Sequence, residues 1–298
     1  MGHWADPRSP EGLARVLRGL ELVPSHRWGQ NFLVDPDVFR AMGDLVMNGR
    51  SSAPVLEIGP GVGGLTHSLL ERGAFVAAVE LDQRVKPILD DLGAQYPERF
   101  TVYYQDALEG SWGAIARQCG LSGMDVAGNL PYYATAPLLG RLLETDLLWD
   151  RAVFMVQREV AERLLTKPGS RRTSTLGVLL RYSLDIDPGI DLVPPASFFP
   201  APEVSSAVIQ LRRRPPLPVD WHQFRWVVRA GFQHRRKMLR QALPRAIGSP
   251  LGRDQWIDLL ADLNISQSAR AEELTLEEWE RLAAALKHRK KGTGSHDL

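Results

Sequence analysis

Between residues 54 and 157 the chain alternates short apolar runs with longer segments whose apolar residues recur at helical spacing. The runs occupy 55–58, 75–81, 101–104, 125–127 and 152–156, and helical patterns such as 65–72 and 83–92 lie between them. Strand–helix alternation of this kind predicts an α/β domain on a mostly parallel sheet, because parallel neighbours need a crossover long enough to hold a helix. Ligands on such sheets gather outside the carboxyl ends of the strands, where the strand order reverses. Residues 158–187 begin as a helical pattern and then lose any clear period, and 204–211 read as a further strand. Arg212, Arg213 and Arg214 are then followed by Pro215, Pro216 and Pro218, a linker signal. Beyond it, three or four helical segments without strand pattern predict a small all-α C-terminal domain. The expected division is a first domain over 1–214, a helical domain over 219–287 and a basic, disordered tail over 288–298.

Composition narrows the class. The 298 residues are 44% hydrophobic, enough for one large core and a smaller one. The single cysteine, Cys119, excludes an intrachain disulfide and fits a reducing compartment. The seven histidines stand at no metal-ligand spacing, so no metal is expected. No apolar run approaches a membrane span and no hydrophobic signal core opens the chain, which predicts a cytoplasmic protein without membrane contact. The net charge of +1 does not advertise a nucleic-acid partner, but its distribution does. Residues 211–245 hold ten basic side chains against one acid, Asp220. Arg212, Arg235, Arg236, Lys237 and Arg240 are the candidate RNA phosphate contacts. The interleaved Trp221, Phe224, Trp226 and Phe232 read as core.

The candidate chemistry sits at successive strand ends. Glu57-Ile58-Gly59-Pro60-Gly61-Val62-Gly63-Gly64 closes the first run and opens a helix. Gly59 and Gly61 allow a sharp turn and close approach of a ligand. The pattern also fits dinucleotide binding, but Glu57 would repel a pyrophosphate held two residues away and would favour a cofactor with a sulfonium and an ammonium group. Glu80 ends the second run, where an acid can accept from a ribose diol. Asp106 follows the third, placed to accept from an adenine amino group. The fourth run ends Gly128-Asn129-Leu130-Pro131-Tyr132-Tyr133. Adenine N6 is a poor nucleophile because its lone pair is delocalised into the ring. The Asn129 side-chain oxygen and a backbone carbonyl, that of Leu130, can hold its two hydrogens and aim the lone pair. Pro131 fixes the backbone before it, and Tyr132 offers a stacking face. The chemistry then needs positioning rather than a strong base.

These motifs occur in one order with others. Gly29-Gln30-Asn31-Phe32-Leu33, Glu80-Leu81-Asp82, Gln105-Asp106-Ala107, Val156-Gln157-Arg158-Glu159-Val160-Ala161, Phe198-Phe199-Pro200-Ala201-Pro202-Glu203-Val204-Ser205-Ser206-Ala207-Val208 and Arg235-Arg236-Lys237 join the glycine turn and the Asn129–Tyr132 run. Together, over about 24–285, the chain resembles the ribosomal-RNA adenine dimethyltransferases, most closely their bacterial small-subunit branch. The resemblance implies a Rossmann-like class I S-adenosylmethionine methyltransferase domain and a monomer acting on the immature small ribosomal subunit. It implies transfer of four methyls to N6 of two adjacent adenosines in the hairpin loop near the 3′ end of small-subunit (16S) rRNA during ribosome biogenesis. It implies cofactor-binding positions at Asn31, Leu33, Gly59, Glu80, Asp106 and Asn129, and an aromatic cover for the target base at Phe198. The segment 24–35, with His26, Arg27 and Trp28, is expected to act as a lid. Trp28, Tyr133, Glu203 and the Ser174-Thr175 pair depart from the family's usual residues, and Glu203 reverses one charge on the RNA side. Two alternatives stay open: a non-catalytic assembly checkpoint on the small subunit, and an adenine methyltransferase acting on large-subunit rRNA or DNA.

Overall fold

A computed structural model describes residues 4–25, 29–215 and 219–292, with side chains through residue 286. His26, Arg27 and Trp28 of the expected lid, Pro216 and Pro218 of the linker, and 293–298 of the expected tail lie outside the described residues.

Two compact units divide the chain: residues up to 161 with 186–213, and residues 162–185 with 214 onward. In chain order the elements are α1 (Pro10–Gly19), β1 (Phe32–Leu33), α2 (Pro36–Met47), β2 (Pro54–Ile58), α3 (Gly64–Glu71), β3 (Phe75–Glu80), α4 (Lys86–Gln95), β4 (Phe100–Tyr104), α5 (Trp112–Gln118), β5 (Asp125–Asn129) and α6 (Thr135–Glu144). They continue with β6 (Arg151–Gln157), α7 (Arg158–Leu165), α8 (Thr175–Ser183), β7 (Leu184–Val193), β8 (Phe198–Phe199), β9 (Ser206–Arg213), α9 (Trp221–Gln233), α10 (Leu239–Ala242), α11 (Arg253–Asp262) and α12 (Leu276–Gly292).

A seven-stranded sheet in the order β4-β3-β2-β5-β6-β9-β7 carries the first unit. Strands β4, β3, β2, β5 and β6 run parallel, and β9 pairs antiparallel with β6. The central strands are apolar on both faces, as strands covered by helices on each side must be: Val55, Leu56, Val76, Ala77, Val126 and Ala127 are all fully buried. The order reverses between β2 and β5, so the carboxyl ends of those two strands open a crevice. A separate two-stranded ribbon pairs β1 with β8, Phe32 opposite Phe199 and Leu33 opposite Phe198. The mostly parallel sheet expected from the apolar runs is the observed architecture, and each of the five runs became a strand.

Strand β7 escaped the sequence pattern. Its sequence, Leu184-Asp185-Ile186-Asp187-Pro188-Gly189-Ile190-Asp191-Leu192-Val193, mixes acids, proline and glycine. Those residues suit a strand only at a sheet edge, where β7 lies.

The second unit is helical and has its own core. Tyr182 of α8 stacks on Phe224 of α9 with ring centroids 3.6 Å apart, and its hydroxyl donates to the Val219 carbonyl at 2.6 Å. Trp256 and Trp279 are fully buried. The expected first domain over 1–214 needs correction, because residues 162–185 pack with the C-terminal helices. The cause is long-range aromatic packing, which local periodicity does not reveal. Over 288–292 the expected disordered tail also needs correction, since α12 runs to Gly292. Ala283-Ala284-Ala285-Leu286 are strong helix formers, and no glycine or proline interrupts them before Gly292.

Candidate active site

Three left-handed residues shape the turn after β2: Gly59, Gly61 and Gly63 have φ of 68, 56 and 85°. A side chain at Gly61 would be strained there and would also meet the Phe32 ring at 3.3 Å. The turn is fixed from the next strand. Glu80 at the end of β3 accepts from the Gly61 amide at 2.9 Å and from the Asp82 amide at 2.7 Å, one with each oxygen. A carboxylate has about four acceptor sites, so Glu80 keeps room for a ligand hydroxyl. Asp106, after β4, accepts from the Leu108 amide at 2.7 Å with one oxygen. Burial, the largest influence, pushes the Glu80 carboxyl above its usual range despite those amide donors.

Glu57 is deeply set beneath the glycine turn. It is 1% exposed and accepts from the Thr66 hydroxyl at 2.7 Å. Burial pushes its carboxyl up to about 8, with the Thr66 hydrogen bond opposing and the charge of Glu80 reinforcing the shift. Burial thus favours the protonated carboxyl at neutral pH.

The loop after β5 is clamped on several sides. The Leu130 amide donates to the Met155 carbonyl of β6 at 3.0 Å, and the Ala134 amide donates to the Pro131 carbonyl at 3.0 Å. The Tyr132 hydroxyl shares a 3.0 Å hydrogen bond with the Ser206 hydroxyl of β9. Among the described residues neither the Asn129 side chain nor the Leu130 carbonyl has a hydrogen-bond partner in the protein. Both acceptors therefore remain for a ligand.

One cavity of about 230 Å³ collects these groups. Asn31, Leu33, Glu57, Gly59, Gly61, Glu80, Asp106, Asn129, Leu130, Pro131, Tyr132 and Phe198 all line it. Every cofactor and catalytic candidate read from the sequence is thus at one place. Residues not singled out as site residues line it too, among them Gln30, Asp82 and Tyr133. Gln30 donates to Asp82 at 2.7 Å, tying the described part of the expected lid to the end of β3. That bond links residues 52 apart in sequence, so no local signal announces it. Among the described residues the acids Glu57, Glu80, Asp82 and Asp106 line the cavity, and no lysine or arginine does. A pyrophosphate would find no cationic side chain among these residues, and the Gly61 amide that might hold it already serves Glu80. A cationic adenosyl sulfonium fits this donor set.

The basic candidates are distributed differently. Arg212 belongs to the first unit and pairs with Asp187 at 3.1 Å. In the second unit, Arg235 pairs with Glu272 at 2.9 Å and donates to the Arg171 carbonyl at 2.9 Å. Arg236 and Lys237 are exposed, and Arg240 is half-buried at the start of α10.

The family model for ribosomal RNA adenine dimethylases matches residues 25–288. The chain belongs to that family. It is a methyltransferase of ribosomal RNA adenine, dependent on S-adenosylmethionine. Ribosomal RNA small subunit methyltransferase A from Anaeromyxobacter sp. (strain K) is 38% identical over 295 residues, which covers 95% of this chain and 99% of that protein. The protein of the same name from Magnetococcus marinus is 40% identical over 266 residues, 88% of this chain and 91% of its own. Among solved structures, a dimethyladenosine transferase from Plasmodium falciparum aligns at a TM-score of 0.70 with 23% identity, covering 88% of this chain and 98% of that one. The 23S rRNA methyltransferase ErmE aligns at 0.65 with 24% identity, covering 86% and 100%. These two likenesses establish the fold that the methyltransferase shares.

Proposed function

We propose that this methyltransferase dimethylates N6 of two adjacent adenosines in the 3′-terminal hairpin loop of small-subunit rRNA, acting as a monomer on the immature subunit in the cytoplasm. The single observation that carries the reading is the pair of unsatisfied acceptors, Asn129 and Leu130, in the same cavity as Glu80, Asp106 and the glycine turn. The names of the relatives support the small subunit as substrate.

S-adenosylmethionine supplies a methyl group on an already activated sulfonium. The protein supplies geometry. Glu80 receives the ribose hydroxyls, Asp106 the adenine amine of the cofactor, and Asn31 and Leu33 close one side. Glu57, held by the Thr66 hydroxyl, would offer its carboxyl to the cationic end. The Asn129 oxygen and the Leu130 carbonyl each accept one N6 hydrogen of the target adenosine, which turns the nitrogen lone pair out of conjugation. Tyr132 and Phe198 hold the two faces of the base. A loop adenosine is already partly unstacked, so turning it into the cavity costs a few kcal/mol. Arg236, Lys237 and Arg240 meet RNA phosphates, with Arg212 as a further contact.

The test is incubation with radiolabelled S-adenosylmethionine and undermethylated small subunits, followed by nucleoside analysis. The expected product is N6,N6-dimethyladenosine in small-subunit RNA, absent with Asn129→Ala. Label confined to large-subunit RNA would overturn the substrate. A normal small-subunit maturation phenotype in cells carrying only Asn129→Ala would make binding, not transfer, the main role.

A further inference from the structure

Tyr132 forms one wall of the cavity and its ring must stand still for a base to stack on it. The carbonyl and amide bonds of residues 130–134 fix the backbone of this loop but leave the tyrosine's own torsions free. The far end of the side chain is anchored too, where its hydroxyl meets Ser206 at 3.0 Å. Ser206 is itself fully buried and sits at the first position of β9, opposite Gln157 of β6. The Arg158 amide donates to the neighbouring Ser205 carbonyl at 2.9 Å, so the backbone around the serine is fixed by the sheet. Adjacent Tyr133, by contrast, is 58% exposed. Phe198, which lines the same cavity, lies eight residues before Ser206 in the same passage of chain from β8 to β9.

We propose that Ser206 is a positioning residue for methyl transfer: it pins the Tyr132 ring through its hydroxyl and so sets the plane on which the target adenine stacks. This rests on the adenine-pocket reading above. The link matters most for the second transfer, when the amine already carries one methyl. Only one N6 hydrogen then remains for the two acceptors, and stacking must fix more of the base's orientation. Loss of the link leaves the cofactor's contacts at Glu80 and Asp106 in place.

The experiment is a double-mutant cycle with Ser206→Ala and Tyr132→Phe on whatever RNA the wild type methylates, so that it stands even if the small subunit is the wrong substrate. Each single variant is expected to lose about tenfold in turnover, mostly in kcat, and the double variant no more than either single, because both remove one bond. N6-monomethyladenosine should accumulate in all three. Affinity for S-adenosylmethionine and the melting temperature of Tyr132→Phe should stay near wild type. With 2-aminopurine at the target position, stacking quench should weaken in Ser206→Ala, and Ser206→Cys should restore part of it. Additive losses in the double variant, or unaltered turnover and product ratio in both singles, would overturn the proposal. If Ser206→Ala fails to fold, Tyr132→Phe alone still decides it: full activity with normal product ratio sinks the link.

Discussion

Glu57 illustrates how a single position can carry opposite demands. Its carboxyl lies fully inside the protein, where burial holds its proton up to about pH 8. Between its ordinary value near 4.5 and about 8, the folded chain keeps a proton that the unfolded chain has lost. Its contribution to stability therefore declines as pH rises through that window. A glutamine avoids the decline but offers no charge to a cationic ligand. Glu57→Gln should accordingly melt higher than wild type at about pH 8.5, with the gap closing towards pH 5, and should bind S-adenosylmethionine roughly tenfold more weakly, about 1.4 kcal/mol. Thermal scans across pH and calorimetric titration check this; parallel melting curves at every pH would refute it. The residue types at the site were legible in the sequence because each ends a strand run, which puts Glu57, Glu80, Asp106 and Asn129 on one sheet edge. Thr66 and Ser206 were not, since a hydroxyl that serves another side chain leaves no pattern along the chain.

Among the elements, the short ribbon of β1 and β8 has the largest functional reach. It joins Leu33, on the cofactor side of the cavity, to Phe198, on the side assigned to the base. The Val34 amide donates to the Ser197 carbonyl at 2.8 Å, and the Ser197 hydroxyl donates to Asp35 at 2.7 Å, so the two segments move as one piece. A ligand that orders one side must order the other. S-adenosylhomocysteine is expected to tighten RNA binding roughly fivefold, and RNA to tighten S-adenosylhomocysteine by the same factor, about 1 kcal/mol of coupling. Equal RNA affinity with and without the nucleoside, by titration, would show the ribbon to be a passive brace. The ribbon was unreadable beforehand because two-residue strands carry no periodicity. Strand β7 was unreadable for a different reason, its acids and Pro188 being acceptable only at an edge. The central strands, apolar on both faces, announced themselves.

Across the whole chain the charge nearly cancels, yet ten basic residues crowd into 211–245. The structure sorts them by task. Arg235 is spent on Glu272 and a backbone carbonyl, whereas Arg236 and Lys237 face solvent. Arg236→Ala and Lys237→Ala should each weaken RNA binding and flatten the dependence of affinity on salt by somewhat under one unit of log–log slope. Arg235→Ala should leave that slope alone and lower stability by about 1 kcal/mol. Filter binding over a salt series with parallel melting curves separates the two, and a slope change at Arg235 equal to that at Lys237 would refute the assignment. The presence of a helical C-terminal part was legible from its spacing, but its membership was not, since 162–185 join it only through packing with residues far along the chain.

That membership limits how the family can be rebuilt. The path crosses between the units after residues 161, 185 and 213, so the second unit is not one continuous stretch. A single recombination point in the linker joins the C-terminal helices to a foreign 162–185, and exchange of the whole second unit between homologues needs two grafts, one of them inserted within the methyltransferase core.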